Sequence, residues 1–319
     1  MKKFNLKKVF DLFKNTFMEF MDDNCVKFSA ALSYYTIFAI PPLCILIISV
    51  TGYFFGEEAV SGELFDQINQ LVGDAAAIQI QESIKNVQLS GASTLATYIG
   101  IITLLFGASG VFAEIQSSIN FIWGLKAKPK KGLIRFLKNR LLSFSMIGSL
   151  GFVLLVSLIL NSLIDSLYFQ LTSLFKDTTV YFASAINSAF VFIVITILFI
   201  TIFKTLPDGK IRWKDVIVGS GFTAVLFMVG KWAIGLYLGN SSTTSLYGAA
   251  GSVLVILVWV YYSAIILYFG AEFTKVYAQM YGKSIEPNKY SVWIDKQITE
   301  VDEEITVEKK ISQNDGENT

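Results

Sequence analysis

The sequence contains no histidine. That removes the commonest general base of neutral-pH chemistry and the commonest metal ligand together. Only two cysteines occur, Cys25 and Cys44. One sits at the edge of an apolar run and one inside it, a spacing that gives neither a disulfide framework nor a metal site. Charge is scarce: 16% of residues are Asp, Glu, Lys or Arg, against roughly 25% in soluble domains. The net charge of +1 points to neither nucleic acid nor an acidic partner. P-loop, GxSxG, HExxH and paired-cysteine motifs are all missing. These absences predict a protein that is not an enzyme, with no catalytic, metal or cofactor-binding residues. The first residues, MKKFNLKKVFDLFKNTF, have no uninterrupted apolar core or small-residue cleavage site, so the first span is expected to direct insertion.

What is abundant is hydrophobicity, at 53% of 319 residues. A bilayer core about 30 Å thick needs about 20 apolar helical residues. Six stretches meet this, at 28–55, 94–113, 141–165, 181–203, 216–238 and 251–274. Backbone groups in hydrocarbon must be paired within their own segment, and no stretch alternates like a barrel strand, so the spans are read as helices. Lysine and arginine crowd residues 1–27, 114–140 and 204–215, while 56–93, 166–180 and 239–250 carry almost none. The positive-inside rule then places both termini in the cytoplasm.

The expected fold class is all-α: a polytopic membrane protein with a six-helix transmembrane bundle, an N-terminal interfacial helix and short extracellular helices. Residues 1–27 are expected as a cytoplasmic amphipathic helix, 28–280 as the six-span domain and 281–319 as a polar, acidic, mobile cytoplasmic tail. In the first segment Leu6, Phe10, Phe13, Phe17 and Met21 recur every three or four residues with lysines between, a pattern suited to an anionic leaflet. Periodicity in GELFDQINQLVG and near Ile84 and Val87 predicts two short helices in the 56–93 loop.

Several residues are candidates for a transport path or helix break. Pro41 and Pro42 deprive the Ile37 and Phe38 carbonyls of their amide partners. They follow Ser33, Tyr34, Tyr35 and Thr36 near the expected bilayer midplane. Broken helices at that depth mark transporter sites; a packed kink is the alternative. Gly100, Thr103, Gly107, Gly110 and Glu114 share one face of the second span, either as a packing seam or as the wall of a path. Tyr261, Ala264, Tyr268 and Glu272 share a face of the sixth. Glu272, taken as about one turn from that helix's end, reads as a surface pair with Lys275 or as part of an acidic cluster with Glu114. Lys231 lies within the fifth span, snorkelling or facing an anionic ligand. The loop GNSSTTSLYGAA carries Tyr247 and Gly248. The basic run Lys126–Arg140 suits anionic lipid headgroups. The lipid bilayer is the expected partner, nucleic acid is not, and the oligomeric state is left open.

FSAALSYYTIFAIPPLCILI, LLFGASGVFAEIQSSINFIWG, LPDGKIRWKDVIVGSGFTAVLFMVGKWAIGLYL and SLYGAAGSVLVILVWVYYSAIILYFGAEFTKVY together resemble the YihY/BrkB family of bacterial inner-membrane proteins. The resemblance runs from about Cys25 to Tyr281. It implies six spans with both ends inside, in a bacterial cytoplasmic membrane. Tyr35, Pro42, Gly107, Gly110, Trp123, Gly124, Lys231, Tyr247, Gly248 and Glu272 match its recurrent positions. The family once bore a ribonuclease BN label, which the missing histidines and scattered carboxylates disfavour. A virulence label persists, and transport or envelope lipid handling has been suggested for relatives. The expected function is a permease or flippase-like transporter of a lipid or an anionic or polar solute. The alternative is a non-transporting scaffold or regulator of envelope processes.

Overall fold

A computed structural model of the chain describes residues 6–55, 61–62, 64–66, 77–78, 80–82, 110–128, 178–239, 249–289 and 291–294. These are mostly helical. Helix α1 spans Leu6–Asp22 and α2 spans Cys25–Phe55. Residues 110–122 form α3. Thr178–Thr205, Trp213–Gly239 and Ala249–Tyr281 form α4, α5 and α6. Residues 61–62, 64–66, 77–78 and 80–82 are also helical. The expected spans at 28–55, 181–203, 216–238 and 251–274 fall within α2, α4, α5 and α6. The second overlaps α3 only at its end, and the third, 141–165, lies outside the described residues.

The four long helices have 31, 28, 27 and 33 residues, about 40–50 Å each. Each exceeds the ~30 Å hydrocarbon core. Their outer surfaces are apolar: Ile193, Ile197, Val218, Val225, Val229, Trp232 and Val258 are exposed. Ser220, Thr223, Glu272, Thr274 and Lys275 are buried instead. A helical bundle with aliphatic residues outside and polar residues inside is built for lipid, where internal pairing is obligatory.

Helix α6 is the hub, packing against α1, α2 and α5, while α4 packs along α5. The α5–α6 crossing is made by two matching pentapeptides, Gly219-Ser-Gly-Phe-Thr223 and Gly270-Ala-Glu-Phe-Thr274. The helices are antiparallel, so each glycine meets the other helix's threonine. Cβ atoms built on Gly219 and Gly270 would overlap the hydroxyls of Thr274 and Thr223. Each threonine hydroxyl donates to the carbonyl of the glycine on its own helix, at 2.7 Å for Thr223 and 2.6 Å for Thr274. That bond hides the hydroxyl from lipid and fixes the rotamer that lies over the opposing backbone. Phe222 and Phe273 stack beside the crossing with ring centroids 3.9 Å apart.

Of the two readings of Pro41 and Pro42, a break or a kink, the break does not occur. Helix α2 runs as one element from Cys25 to Phe55. Proline's φ is close to the helical value, so the cost falls on two lost amide bonds, and long membrane helices absorb such losses. The expectation of a mobile tail over 281–319 is also corrected for residues 281–289 and 291–294. Glu286–Pro287 (β3) pairs with Gly209–Lys210 (β2), and Ser291–Trp293 (β4) pairs with Leu125–Ala127 (β1), both antiparallel. Ile285 and Leu125 are buried there, so this polar-looking stretch carries enough apolar surface to dock. Residues 295–319 lie outside the described residues.

Asp208 joins these strands. Its backbone amide donates to Asn120 Oδ1 at 2.7 Å, and Asn120 Nδ2 donates to its Oδ2 at 3.0 Å. Ser291 Oγ donates to the Asp208 carbonyl at 2.6 Å. The C-terminal segment thus staples the end of α3 to the α4–α5 turn. Asp208→Ala should leave Asn120 without its side-chain partner and lower stability by about 1–3 kcal/mol. Unfolding in detergent would show it, with Asp208→Asn milder.

A candidate ionic gate at the lysine-rich end

The site grows from a turn. After α1, Asn24 takes the left-handed conformation with φ 55°, which Asn tolerates better than most residues. Its amide closes α1 by donating to Met21, and its carbonyl accepts from Lys27 and Phe28 to open α2. The reversal sets Asp23, the last residue before the turn, and Cys25, the first of α2, against α6. Gly124 does the same for α3 at φ 68°, a glycine C-cap. It lets buried Trp123 donate from Nε1 to the Ala271 carbonyl at 3.1 Å.

Lys275 is the centre. Its side chain is only 9% exposed, yet it belongs to the most strongly hydrated class of side chain. Nζ lies 2.6 Å from Glu19, 3.2 Å from Asp23 and 3.0 Å from Glu272. It also donates to the Ile122 carbonyl at 2.8 Å. An ammonium has three N–H donors, and here they reach α1, α3 and its own helix. Glu272 is fully buried, with one carboxylate oxygen toward Lys275 and the other 3.8 Å from Cys25 Sγ. Burial is graded across the carboxylates: Glu19 is 42% exposed, Asp23 7% and Glu272 0%.

Glu19, Asp23 and Glu272 place oxygens within 4.8 Å of one another, a set that can ligate a cation. The Lys275 ammonium occupies the position an ion would take among them. The chemistry of the cluster is therefore ion pairing across helices. Above it, the Tyr268 hydroxyl is buried beside Ser118 without a well-formed hydrogen bond. Ser118 donates to Glu114 at 3.3 Å.

The structure sorts the sequence-derived candidates. Tyr268 and Glu272 lie at or beside the cluster. Glu114 accepts from Ser118, which lies beside the Tyr268 hydroxyl, and the carboxylates gathered around Lys275 are Glu19, Asp23 and Glu272. Of the two readings of Glu272, the pair with Lys275 is present at 3.0 Å but buried rather than at the surface, and the acidic cluster holds Glu19 and Asp23 in place of Glu114. Glu272 is also not one turn from its helix end, because α6 continues nine residues further to Tyr281. Tyr34 and Tyr35 are exposed on α2, and Tyr34 packs edge-on to Tyr35 and Phe38 at 5.9 and 5.1 Å. Among the described residues, no atom lies within 4 Å of a Cβ built on Gly110. Lys231 is half-buried, and Lys126 and Lys128 are exposed. Gly107, Tyr247, Gly248 and residues 129–140 lie outside the described residues, as do the side chains of Pro41 and Pro42.

Sequence reasoning missed Glu19 and Asp23. The available signal was their four-residue spacing on α1, in register with Leu12, Thr16 and Phe20, which face the bundle.

Comparison with known proteins agrees with this picture of a membrane-embedded helical bundle. A UPF0761 membrane protein of Saccharophagus degradans is 26% identical over 278 residues, covering 84% of this chain and 59% of the relative. One from Alkalilimnicola ehrlichii is 24% identical over 264 residues, covering 81% and 56%. One from Stenotrophomonas maltophilia is 27% identical over 270 residues, covering 84% and 61%. The chain thus spans under two thirds of the length of these curated relatives. No solved structure matches it. The family described as Virulence factor BrkB matches residues 16–292, from within α1 to β4, and the chain belongs to that family of membrane proteins.

Proposed function

We propose that the chain is a permease or flippase-like transporter of the bacterial cytoplasmic membrane. It crosses the membrane six times with both termini inside, and it moves a lipid or an anionic or polar solute. The observation that carries this reading is the buried ion-pair knot on Lys275. It ties α1, the start of α2, the end of α3 and α6 together at the lysine-rich end. Such a knot is a closed inner gate: strong when assembled, and separable only if all its charges regain water or new partners together. Bistable contacts of this kind let a bundle alternate between two packings. The exposed Tyr34 and Tyr35 hydroxyls on the apolar face of α2 give a polar substrate a foothold along the wall. With α2 continuous, opening is assigned to the knot rather than to a hinge at Pro41–Pro42.

Reconstituted protein should move NBD-phospholipid between leaflets, or carboxyfluorescein across them, faster than protein-free vesicles do. Glu272→Gln should change that rate. A folded chain that moves neither probe, with its phenotype untouched by Glu114→Gln, Lys231→Met and Glu272→Gln, would overturn transport in favour of a scaffold or regulator.

A further inference from the structure

Helix α1 has two apolar faces, one buried and one largely exposed among the described residues. Leu12, Thr16 and Phe20 are buried, with Leu12 against Phe273 and Val276, and Phe20 edge-on to Phe269 at 5.5 Å. The other face carries Phe10 at 68%, Phe13 at 42%, Phe17 at 59% and Met21 at 53% exposure. Steps of three, four and four residues set these four in one stripe.

Where this stripe lies along the membrane normal follows from α6. The contacts of Leu12, Phe13 and Phe20, and of Asp23 just after α1, fall on α6 between Phe269 and Tyr277, about two turns, so α1 crosses α6 rather than running along it. From Ala249, the other end of α6, to Phe269 is twenty residues, about 30 Å of helix. That is the thickness of a hydrocarbon core, so a core that begins at Ala249 ends where α1 crosses. Its free stripe is also continuous with the lipid-facing wall, because Phe13 packs edge-on to Phe222 of α5 at 5.6 Å, beside exposed Val218 and Val225. Lys14 and Lys7, both exposed, follow Phe10, Phe17 and Met21 around the helix on the side away from the bundle. A cationic edge beside an aromatic stripe complements acyl chains capped by anionic headgroups.

We propose that α1 is seated in the leaflet at the lysine-rich end, with Phe10, Phe13, Phe17 and Met21 at the acyl boundary and Lys7 and Lys14 on anionic phospholipid headgroups. The partner is lipid, and the contact stands whether or not the chain moves a substrate. Because α1 supplies Glu19, and the turn directly after it Asp23, to Lys275, the lipid surface and the ionic knot hold the same helix.

The test uses the full chain in nanodiscs, with Cys25→Ser and Cys44→Ser, and a nitroxide on Phe17→Cys or on Asn15→Cys across the helix. At position 17 collisions with oxygen should exceed those with a water-soluble nickel chelate severalfold, and at 15 the order should reverse. Immersion at 17 should deepen when phosphatidylglycerol replaces part of the phosphatidylcholine. Neutralising Lys7 or Lys14 with glutamine should weaken that anionic preference about fivefold each. Equal nickel access at 15 and 17 would overturn the proposal, and so would shielding of 17 from both reagents, which would mark a second protein copy on the stripe. Immersion that ignores lipid charge would overturn the headgroup assignment. If the double cysteine replacement unfolds the chain, Phe10→Cys and Lys8→Cys with Cys25 retained, buried as it is, give the same contrast.

Discussion

Replacing Lys275 with methionine should lower the stability of the folded chain by about 3–5 kcal/mol, the cost of leaving buried charge uncompensated. Methionine keeps most of the stem volume and deletes the ammonium. Asp23 and Glu272, 7% and 0% exposed, are then left with facing carboxylates. The Ile122 carbonyl also loses the bond from Nζ. Glu19, 42% exposed, can turn to water and contributes little. Lys275→Arg should not restore the wild-type value, because a planar fork cannot reach oxygens on three sides of a point charge. Adding Glu272→Gln to Lys275→Met should recover part of the loss by removing the most deeply buried orphan. Unfolding monitored in detergent micelles measures all three variants. A loss below 1 kcal/mol for Lys275→Met would show that the knot is solvated and holds nothing.

The second large effect is at the α5–α6 crossing. Gly219→Ala and Gly270→Ala should each destabilise by about 1–3 kcal/mol. The added methyl group would meet not the tip of a long side chain but a threonine whose Cβ is itself 2.8 Å away, so the helices must separate. Thr274→Ala in the Gly219→Ala chain should relieve the closest contact and recover part of the loss. Gly230→Ala is the control. A Cβ there would overlap the hydroxyl of Tyr262, but that is the far end of a ring that can swing aside, and the cost should be smaller. Equal costs at all three glycines would contradict the matched crossing.

Long apolar runs made α4, α5 and α6 legible in the sequence, because hydrocarbon thickness fixes a minimum length whatever the packing. They could not show which side chains meet. Glu272 and Lys275 looked like a pair at a helix end because the apolar run thins at Thr274 and Lys275. The helix continues because Val276, Tyr277 and Ala278 keep facing the bundle. Glu19 and Asp23 went unread in the sequence, since charge alone does not reveal a buried lysine on a distant helix. Pro41 and Pro42 were legible as lost amide donors and misleading as a break, because local propensity is a weaker force than the membrane's demand for helix. The Gly-x-x-Phe-Thr pair was readable in GSGFT and GAEFT, and only the antiparallel crossing gives it meaning.

The central claim, that the Lys275 knot shuts the lysine-rich end of the bundle, has a native reporter. Cys25 is fully buried, with its Sγ 3.8 Å from Glu272. In a Cys44→Ser chain in sealed proteoliposomes, a charged thiol reagent supplied on the lysine-rich side should modify Cys25 slowly. Glu272→Gln, which loosens the knot without emptying it, should raise that rate about tenfold, the equivalent of about 1.4 kcal/mol of gate opening. Rapid modification of the unaltered chain, or the same rate in both chains, would contradict a closed gate.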